Sequence, residues 1–165
     1  MDTYLLDTNL VSVLYDDGRP NHLFVRNELA ALDPNAAQLV STITIGELRF
    51  GLALSRAAGR PLARIEACIE RTEEHPLVEI GHHTSEAFGY VKSSVAFDRV
   101  DIRSRIPRWV EAWSDRVTGQ ILQIDENDLW IAAQAVERNL VVVTSDPDFM
   151  SVIAPAVPEL RVKLV

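Results

Sequence analysis

The sequence has little cysteine, little lysine and no long apolar run, and each shortage excludes a class of protein. Cys68 is the one cysteine among 165 residues, so an internal disulfide and a disulfide-stabilised secreted scaffold are excluded. No run approaches the ~18 consecutive apolar residues of a membrane span. The start, Met1-Asp2-Thr3, also lacks the basic region of a signal peptide. We therefore expect a protein of the reducing cytoplasm that has no membrane partner.

Basic charge is scarce as well, since 16 Lys and Arg face 24 Asp and Glu and leave a net charge of −8. A non-specific nucleic-acid binder would carry a broad basic surface, which this balance disfavours. Only Lys92 and Lys163 are lysines, so nearly all the bases are arginines, which favour bidentate contacts with phosphate or carboxylate. The charge disfavours indiscriminate nucleic-acid binding but is compatible with a nuclease.

What the chain does contain is typical of a globular domain, with 47% hydrophobic and 24% charged residues. Short apolar runs alternate with segments of helical periodicity. This pattern predicts a single α/β domain over residues 1–165, with three α/β/α layers and a mostly parallel central sheet. The predicted strands are 4–6, 38–43, 77–80, 121–124, 140–143 and 160–164. After a first helix that follows Asn9, the predicted helices are 21–32, 44–58, 61–74, 84–97, 126–139 and 146–152.

Four acidic residues follow predicted strands, either directly or in the first turn of the next helix: Asp7, Glu47, Asp128 and Asp146. Taken singly, each is explained as well by helix capping or by the helix dipole. Taken together, carboxylates that converge at one edge of a parallel sheet repel each other by roughly 3 kcal/mol per pair at ~5 Å and an effective dielectric of ~20. A divalent cation such as Mg²⁺ relieves this repulsion and suits phosphodiester hydrolysis.

The segments around these acids resemble the four signature segments of PIN-domain ribonucleases, and most closely those of VapC-type toxins from bacterial toxin–antitoxin pairs. They stand in the family's order and are Leu5-Leu6-Asp7-Thr8-Asn9, Gly46-Glu47-Leu48-Arg49-Phe50-Gly51, Asn127-Asp128-Leu129-Trp130-Ile131-Ala132-Ala133 and Val143-Thr144-Ser145-Asp146-Pro147-Asp148-Phe149. The resemblance implies a PIN-like domain that acts as a metal-dependent endoribonuclease, the toxin of a type II toxin–antitoxin system. The segment at about 99–119 is longer than this family pattern leads us to expect.

The resemblance also implies roles for individual residues. The catalytic acids, which would hold Mg²⁺ or Mn²⁺, are Asp7, Glu47, Asp128 and Asp146. The residues that would orient these acids or their waters are Thr8, Asn9, Thr144 and Ser145. Asp148 joins this supporting group. Related sequences often carry Asn at the position of Asp146, and the acid at the position of Asp148 then matters more. We interpret Asp125 and Glu126, which crowd the third segment, as capping residues.

Two groups of arginines are candidates for contact with an RNA substrate: Arg49 and Arg56 on the helix after the second strand, and Arg103, Arg105 and Arg108 in the 99–119 segment. For the first group, a solvated helix face is the alternative. Beside the second group lie Trp109 and Trp113, which would share one face of a helix. Those aromatic rings could stack on bases, or they could pack in the core or in a homodimer.

The helix after the second strand is apolar on two faces. At about 100° per residue, one face carries Ile45, Leu48 and Leu52, and the nearly opposite face carries Phe50 and Leu54. The domain's own sheet can cover only one of them. We expect the protein to form a homodimer as well as to bind a cognate antitoxin. The Phe50/Leu54 face is a candidate contact for the antitoxin, which VapC-type relatives bind in such a place, or for the second copy in the homodimer.

Two other functions compete with that of a nuclease. A phosphorelay receiver or aspartyl-phosphate phosphatase also gathers acids around Mg²⁺, but it needs a lysine near the last strands or an acid two residues after the first. Asn9 occupies the position of that acid, and Lys163 lies at the far end of the final predicted strand. A non-catalytic RNA-binding or scaffold module is the other alternative, and it is disfavoured because all four acids are present.

Overall fold

Residues 2–165 are described by a computed structural model, and they fall into two units. Unit one runs to Glu79 and also includes Val143–Ser145 and Val165. Unit two consists of Ile80–Val142 and Asp146–Leu164. The described residues form five strands, which are β1 (Tyr4–Leu6), β2 (Gln38–Ser41), β3 (Leu77–Val78), β4 (Val141–Thr144) and β5 (Arg161–Leu164).

The five strands belong to one sheet in the order β3-β2-β1-β4-β5. β1 and β2 are parallel with Tyr4 opposite Gln38, and β2 and β3 are parallel with Val40 opposite Leu77. The sequence order reverses between β1 and β4, which makes their junction the topological switch point of the sheet. The predicted fold class, three-layer α/β/α with a mostly parallel central sheet, is confirmed.

The described part of unit one contains four helices, which are α1 (Thr8–Leu14), α2 (His22–Ala30), α3 (Thr42–Ala57) and α4 (Ala63–Glu73). Its core is a cluster of buried apolar side chains from the helices and the strands, among them Leu10 of α1, Val25 of α2 and Leu6 of β1. Burial of each such side chain contributes about 1.5–3 kcal/mol. Between α3 and α4, Gly59 has φ 65°, a left-handed conformation that glycine adopts without strain and that ends the helix.

Unit two contains α5 (His82–Arg99), α6 (Glu126–Arg138) and α7 (Ala154–Ala156). The rings of Phe88 and Trp130 stack with centroids 3.8 Å apart, and the Thr84 hydroxyl donates to Glu137 at 2.5 Å. A π-helical turn at Phe149–Ile153 precedes α7. In the part of the chain that the structure describes, no helix is long and apolar enough to cross a membrane.

Two predicted strands need correction. Residues 121–124 are not a strand, because Ile121 forms only an isolated bridge with Ser114 and Gln123 has φ 57°, outside the extended region. The second strand ends at Ser41 rather than at residue 43. The Ser41 hydroxyl accepts the Ile43 N–H at 2.9 Å and caps α3, so two β-branched residues enter the helix despite their strand propensity.

The helix predicted at 146–152 is observed mainly as the π-helical turn and α7.

The 99–119 segment is mostly irregular after α5 and includes a short 3₁₀ turn at Val110–Ala112. Trp113 is buried and donates its indole N–H to the Pro107 carbonyl at 2.9 Å, whereas Trp109 is 64% exposed. The backbone is extended at both tryptophans, so helical spacing does not apply to them. The prediction that the two rings share one helix face is wrong.

Candidate active site

Asp7 lies where β1 ends and α1 begins, and it is only 2% exposed. Its Oδ1 accepts a hydrogen bond from the Thr8 N–H at 2.7 Å and so caps α1. Its Oδ2 accepts a hydrogen bond from the Thr144 hydroxyl at 2.7 Å, and its N–H donates to the Val143 carbonyl at 3.0 Å. Asp7 is therefore a helix cap and, at the same time, a buried carboxylate held in one orientation at the switch point.

Glu47 on α3 is joined to this group through Thr8. The Thr8 hydroxyl donates to Glu47 Oε2, and it lies 3.0 Å from the hydroxyl oxygen of Thr44. Thr44, which sequence reasoning missed, is fully buried one helical turn before Glu47. Its spacing of three residues from Glu47 was the available signal, because such residues share a helix face. Within unit one, the structure therefore connects Asp7, Thr8 and Glu47 by hydrogen bonds.

Asp128 lies in unit two, in the first turn of α6, as predicted, although the segment before this helix is not a strand. Its Oδ2 accepts the Asp125 N–H at 2.9 Å, while Asp125 Oδ1 accepts the N–H groups of Asn127 and Asp128 at 2.8 and 3.0 Å. This reciprocal arrangement is a capping box. Asp125 is thus a capping residue as predicted, and Glu126 forms an ion pair with Lys92 at 2.6 Å.

Asp146 lies in unit two just beyond β4 and is half-buried. Its Oδ1 accepts the Asp148 N–H at 2.8 Å, which shapes the turn that leads into the π-helical turn. Ser145 and Asp148 are also half-buried, whereas Asn9 at the start of α1 is exposed. The backbone of Asp148, rather than its carboxylate, makes this contact with Asp146.

The donor chemistry of the four predicted acids fits a hard divalent cation, because Mg²⁺ and Mn²⁺ prefer oxygen ligands. Within residues 2–165, however, the structure arranges no group of three or more His, Cys, Asp or Glu side chains as a metal site. The Mg²⁺ or Mn²⁺ ligand set therefore stays a prediction from the sequence and the family resemblance.

The arginines predicted to contact RNA differ in their surroundings. Arg49 pairs with Glu73 at 2.6 Å and Arg56 with Glu66 at 3.6 Å, and the arginine side chains are more than 60% exposed. These contacts fit the solvated-face alternative for the α3 group. The second group, by contrast, is exposed in the 99–119 segment: Arg103, Arg105 and Arg108.

The two apolar faces of α3 are confirmed by their exposure. Ile45 and Leu48 are buried in unit one, while Phe50 is 65% and Leu54 55% exposed. A large apolar side chain exposed on each of two successive helical turns forms a surface suited to a partner.

The chain belongs to the PIN domain family, which residues 4–154 match. This match confirms the family inferred from the four motifs. It also encloses every acid predicted for the site and the whole of the 99–119 segment. A comparison with curated proteins finds no significant sequence match.

Solved structures with the same fold include proteins of toxin–antitoxin complexes. The chain is similar to one in VapBC2 of Rickettsia felis, bound to promoter DNA, with a TM-score of 0.65, 17% identity and 98% coverage of both chains. VapBC-1 of nontypeable Haemophilus influenzae gives a TM-score of 0.65 and 20% identity, over 98% of this chain and 97% of that one. VapC20 of Mycobacterium tuberculosis, described as a sarcin-ricin loop cleaving toxin, gives 0.55 and 14%, over 90% and 94%. At these identities the likeness concerns the fold.

Proposed function

We propose that this PIN-domain protein is a divalent-metal-dependent endoribonuclease and the toxin of a type II toxin–antitoxin pair. The observation that carries the proposal is the buried carboxylate of Asp7 at the carboxyl end of β1, with donors on both oxygens. Ligands of open parallel sheets bind beyond the carboxyl ends of the strands at the switch point. Membership of the PIN family and the fold shared with an RNA-cleaving toxin support the same chemistry.

In this proposal four carboxylates hold Mg²⁺ or Mn²⁺, those of Asp7, Glu47, Asp128 and Asp146. A metal ion bound there supplies an activated water and neutralises charge on the scissile phosphate. The Thr144 hydroxyl keeps Asp7 in place and the Thr8 hydroxyl keeps Glu47 in place, so these oxygens are oriented before substrate enters. Waters or neighbouring acids are oriented by Asn9, Ser145 and Asp148. A single PIN-like domain over residues 1–165 and a cytoplasmic location are part of the same proposal.

Cleavage of total bacterial RNA with Mg²⁺ or Mn²⁺, and with EDTA, tests the proposed chemistry. We expect Asp7→Asn to abolish metal-dependent cleavage while its Tm in EDTA stays close to the wild-type value, because an amide can maintain both side-chain hydrogen bonds. Asp17→Asn, at an exposed aspartate of unit one, is the matched control and should cleave normally. Undiminished cleavage by Asp7→Asn would remove Asp7 from the site, and undiminished cleavage in EDTA would contradict metal dependence.

The proposed protein partner is a cognate antitoxin that covers the Phe50/Leu54 face of α3. The solved VapBC neighbours are complexes of a toxin–antitoxin family, and this face exposes two large apolar side chains. An apolar helix face of this kind suits an amphipathic helix or an extended segment. A homodimer contact is the competing use of the same face.

Co-expression with the product of the gene immediately upstream, the position proposed for the antitoxin, distinguishes these uses. We expect Phe50→Glu to abolish co-purification and to preserve RNA cleavage, because Phe50 is 65% exposed and contributes little to the core. Phe24→Glu is the matched control, since Phe24 on α2 is 55% exposed but lies outside this face. If the Phe50→Glu variant still binds the antitoxin but light scattering gives half the mass of the wild-type protein, the face belongs to the homodimer.

The two alternative functions are a receiver or phosphatase and a non-catalytic RNA-binding module. Receiver domains have the strand order 2-1-3-4-5, whereas this sheet has the order β3-β2-β1-β4-β5. A receiver is therefore disfavoured by topology, and an aspartyl-phosphate phosphatase is disfavoured by Asn9. A non-catalytic RNA-binding module would bind RNA but leave it intact with both Mg²⁺ and Mn²⁺, and the cleavage assay separates it from a nuclease.

A further inference from the structure

The segment Ile102–Trp109 of unit two, which we call the Arg/Trp loop, contains several arginines and ends on an exposed tryptophan. Trp109 is 64% exposed, although burial of such a ring is usually favourable. The Arg108 guanidinium lies 5.0 Å from the ring centroid, a cation–π contact. Residues 103–108 contain three arginines and no acid, a concentrated positive charge in a chain of net charge −8.

The base of the Arg/Trp loop is held in place although the loop has no regular secondary structure. The Asp101 carboxylate accepts the Ser104 hydroxyl at 2.9 Å and the Arg103 N–H at 3.0 Å. These two hydrogen bonds, that from Ser104 foremost, lower the pKa of Asp101. On the other side, the buried Trp113 donates to the Pro107 carbonyl at 2.9 Å. The loop thus has anchors at both ends and exposed arginines and tryptophan between them.

We propose that the Arg/Trp loop binds single-stranded RNA, with a base stacked on Trp109 and phosphates contacted by Arg103 and Arg105. The inference rests on the proposed ribonuclease function and adds to it the surface and the form of the substrate. An aromatic ring beside cationic groups is the combination that binds single strands with little sequence preference. Because bases inside a duplex are already stacked on each other, Trp109 should favour single-stranded over double-stranded RNA.

The charge of the loop favours RNA over a second copy of the chain as the occupant. A symmetric contact would bring the same arginines of two copies together, and their like charges would repel. Phosphates, in contrast, offset the mutual repulsion of Arg103, Arg105 and Arg108. Trp113, the other tryptophan of residues 99–119, lies outside the loop, is buried within unit two and is not available to a partner.

Fluorescence anisotropy with a fluorescein-labelled single-stranded RNA of about 12 nucleotides tests the inference. It is carried out in the Asp7→Asn background, so that no cleavage complicates binding. We expect Trp109→Ala to raise Kd roughly tenfold, Trp109→Phe to stay within about threefold of the parent, and the duplex of the same sequence to bind more weakly. Because Trp109 is exposed, both variants should retain the parent's circular dichroism.

Salt titration of the same RNA tests the arginines. We expect Arg103→Ala with Arg105→Ala to reduce the slope of log K against log salt by about 1.4, since each phosphate contact on a single strand contributes about 0.7. The matched control removes two exposed arginines elsewhere, Arg26→Ala with Arg60→Ala, and should leave the slope unchanged.

Unchanged affinity and slope in the Trp109 and Arg103/Arg105 variants would overturn the inference. So would an altered oligomeric mass with unchanged RNA affinity, because the loop would then contact protein. The inference and the nuclease function can fail separately. If the loop binds RNA but the wild-type chain cleaves none, the inference is sustained and the nuclease function is contradicted. If the Trp109→Ala single variant cleaves RNA with the wild-type KM, the nuclease function is sustained and the inference is contradicted.

Discussion

Replacement of Thr144 by valine should weaken the fold by removing the hydrogen bond from Thr144 to Asp7, because valine keeps the shape of threonine and lacks its hydroxyl. The change removes the donor that lies 2.7 Å from Asp7 Oδ2, at a point where Asp7 is 2% and Thr144 0% exposed. Water cannot easily replace the donor there. A hydrogen bond to a charged group is worth about 1.5–3 kcal/mol, so we expect the free energy of unfolding to fall by about 2 kcal/mol. For a chain of this size the Tm should fall by roughly 4–8 °C.

Urea denaturation followed by circular dichroism measures this loss in a double-mutant cycle with Asp7→Asn. In the Asp7→Asn background the bond joins neutral partners and is worth about 1 kcal/mol, so Thr144→Val should cost about 1 kcal/mol less there. Thr144→Ser keeps the hydroxyl and serves as the control. Equal losses in both backgrounds would refute the charge-assisted bond, and a loss below about 0.5 kcal/mol would refute the bond as a stabilising contact.

Two further predictions concern a helix cap and a buried thiol. Asp125→Ala should lower the free energy of unfolding, measured in urea, by about 1 kcal/mol, because the Asp125 carboxylate caps α6. Asp125→Ser should lower it by less, since serine can also cap a helix, and equal losses for the two variants would contradict the capping role. Burial raises the pKa of the Cys68 thiol, so Ellman's reagent at pH 8 should label it rapidly only after unfolding. Rapid labelling of the folded protein would contradict this burial. For the same reason the free energy of unfolding should fall as pH rises above the ordinary thiol pKa of 9.0, because the thiol of the unfolded chain ionises first.

Much of the fold could be predicted because the relevant signals are local. Tyr4–Leu6 is a strand with the predicted bounds, and the other strands and long helices differ from prediction mainly at their ends. The 121–124 segment shows where local pattern fails. Leu122 and Ile124 are buried as a strand pattern predicts, but the left-handed backbone at Gln123 ends the extended conformation between them. Apolar periodicity predicted burial there without determining hydrogen-bond pairing.

In the candidate site, too, the features that depend on neighbouring residues were predicted, and those that depend on tertiary contacts were not. The sequence predicted Asp7 at the end of the first strand and Glu47 on the helix after the second strand, since both positions depend on nearby residues. It could not predict that Thr8 contacts Thr44, because that contact depends on how closely α1 approaches α3. Asp128 shows the opposite limit. Its capping box with Asp125 is local, so a capping residue and a metal ligand carry the same sequence signature there.

Both edges of the sheet are poor templates for an added strand. β3 at one edge has only two residues, and β5 at the other carries Arg161 and Lys163 among its four. Short edge strands and charged edge residues hinder edge-to-edge pairing, which protects a sheet from aggregation. The same features disfavour any ligand that would bind by extending the sheet. A peptide that binds this protein is therefore expected to be recognised by side chains on the helices rather than by backbone hydrogen bonds to β3 or β5.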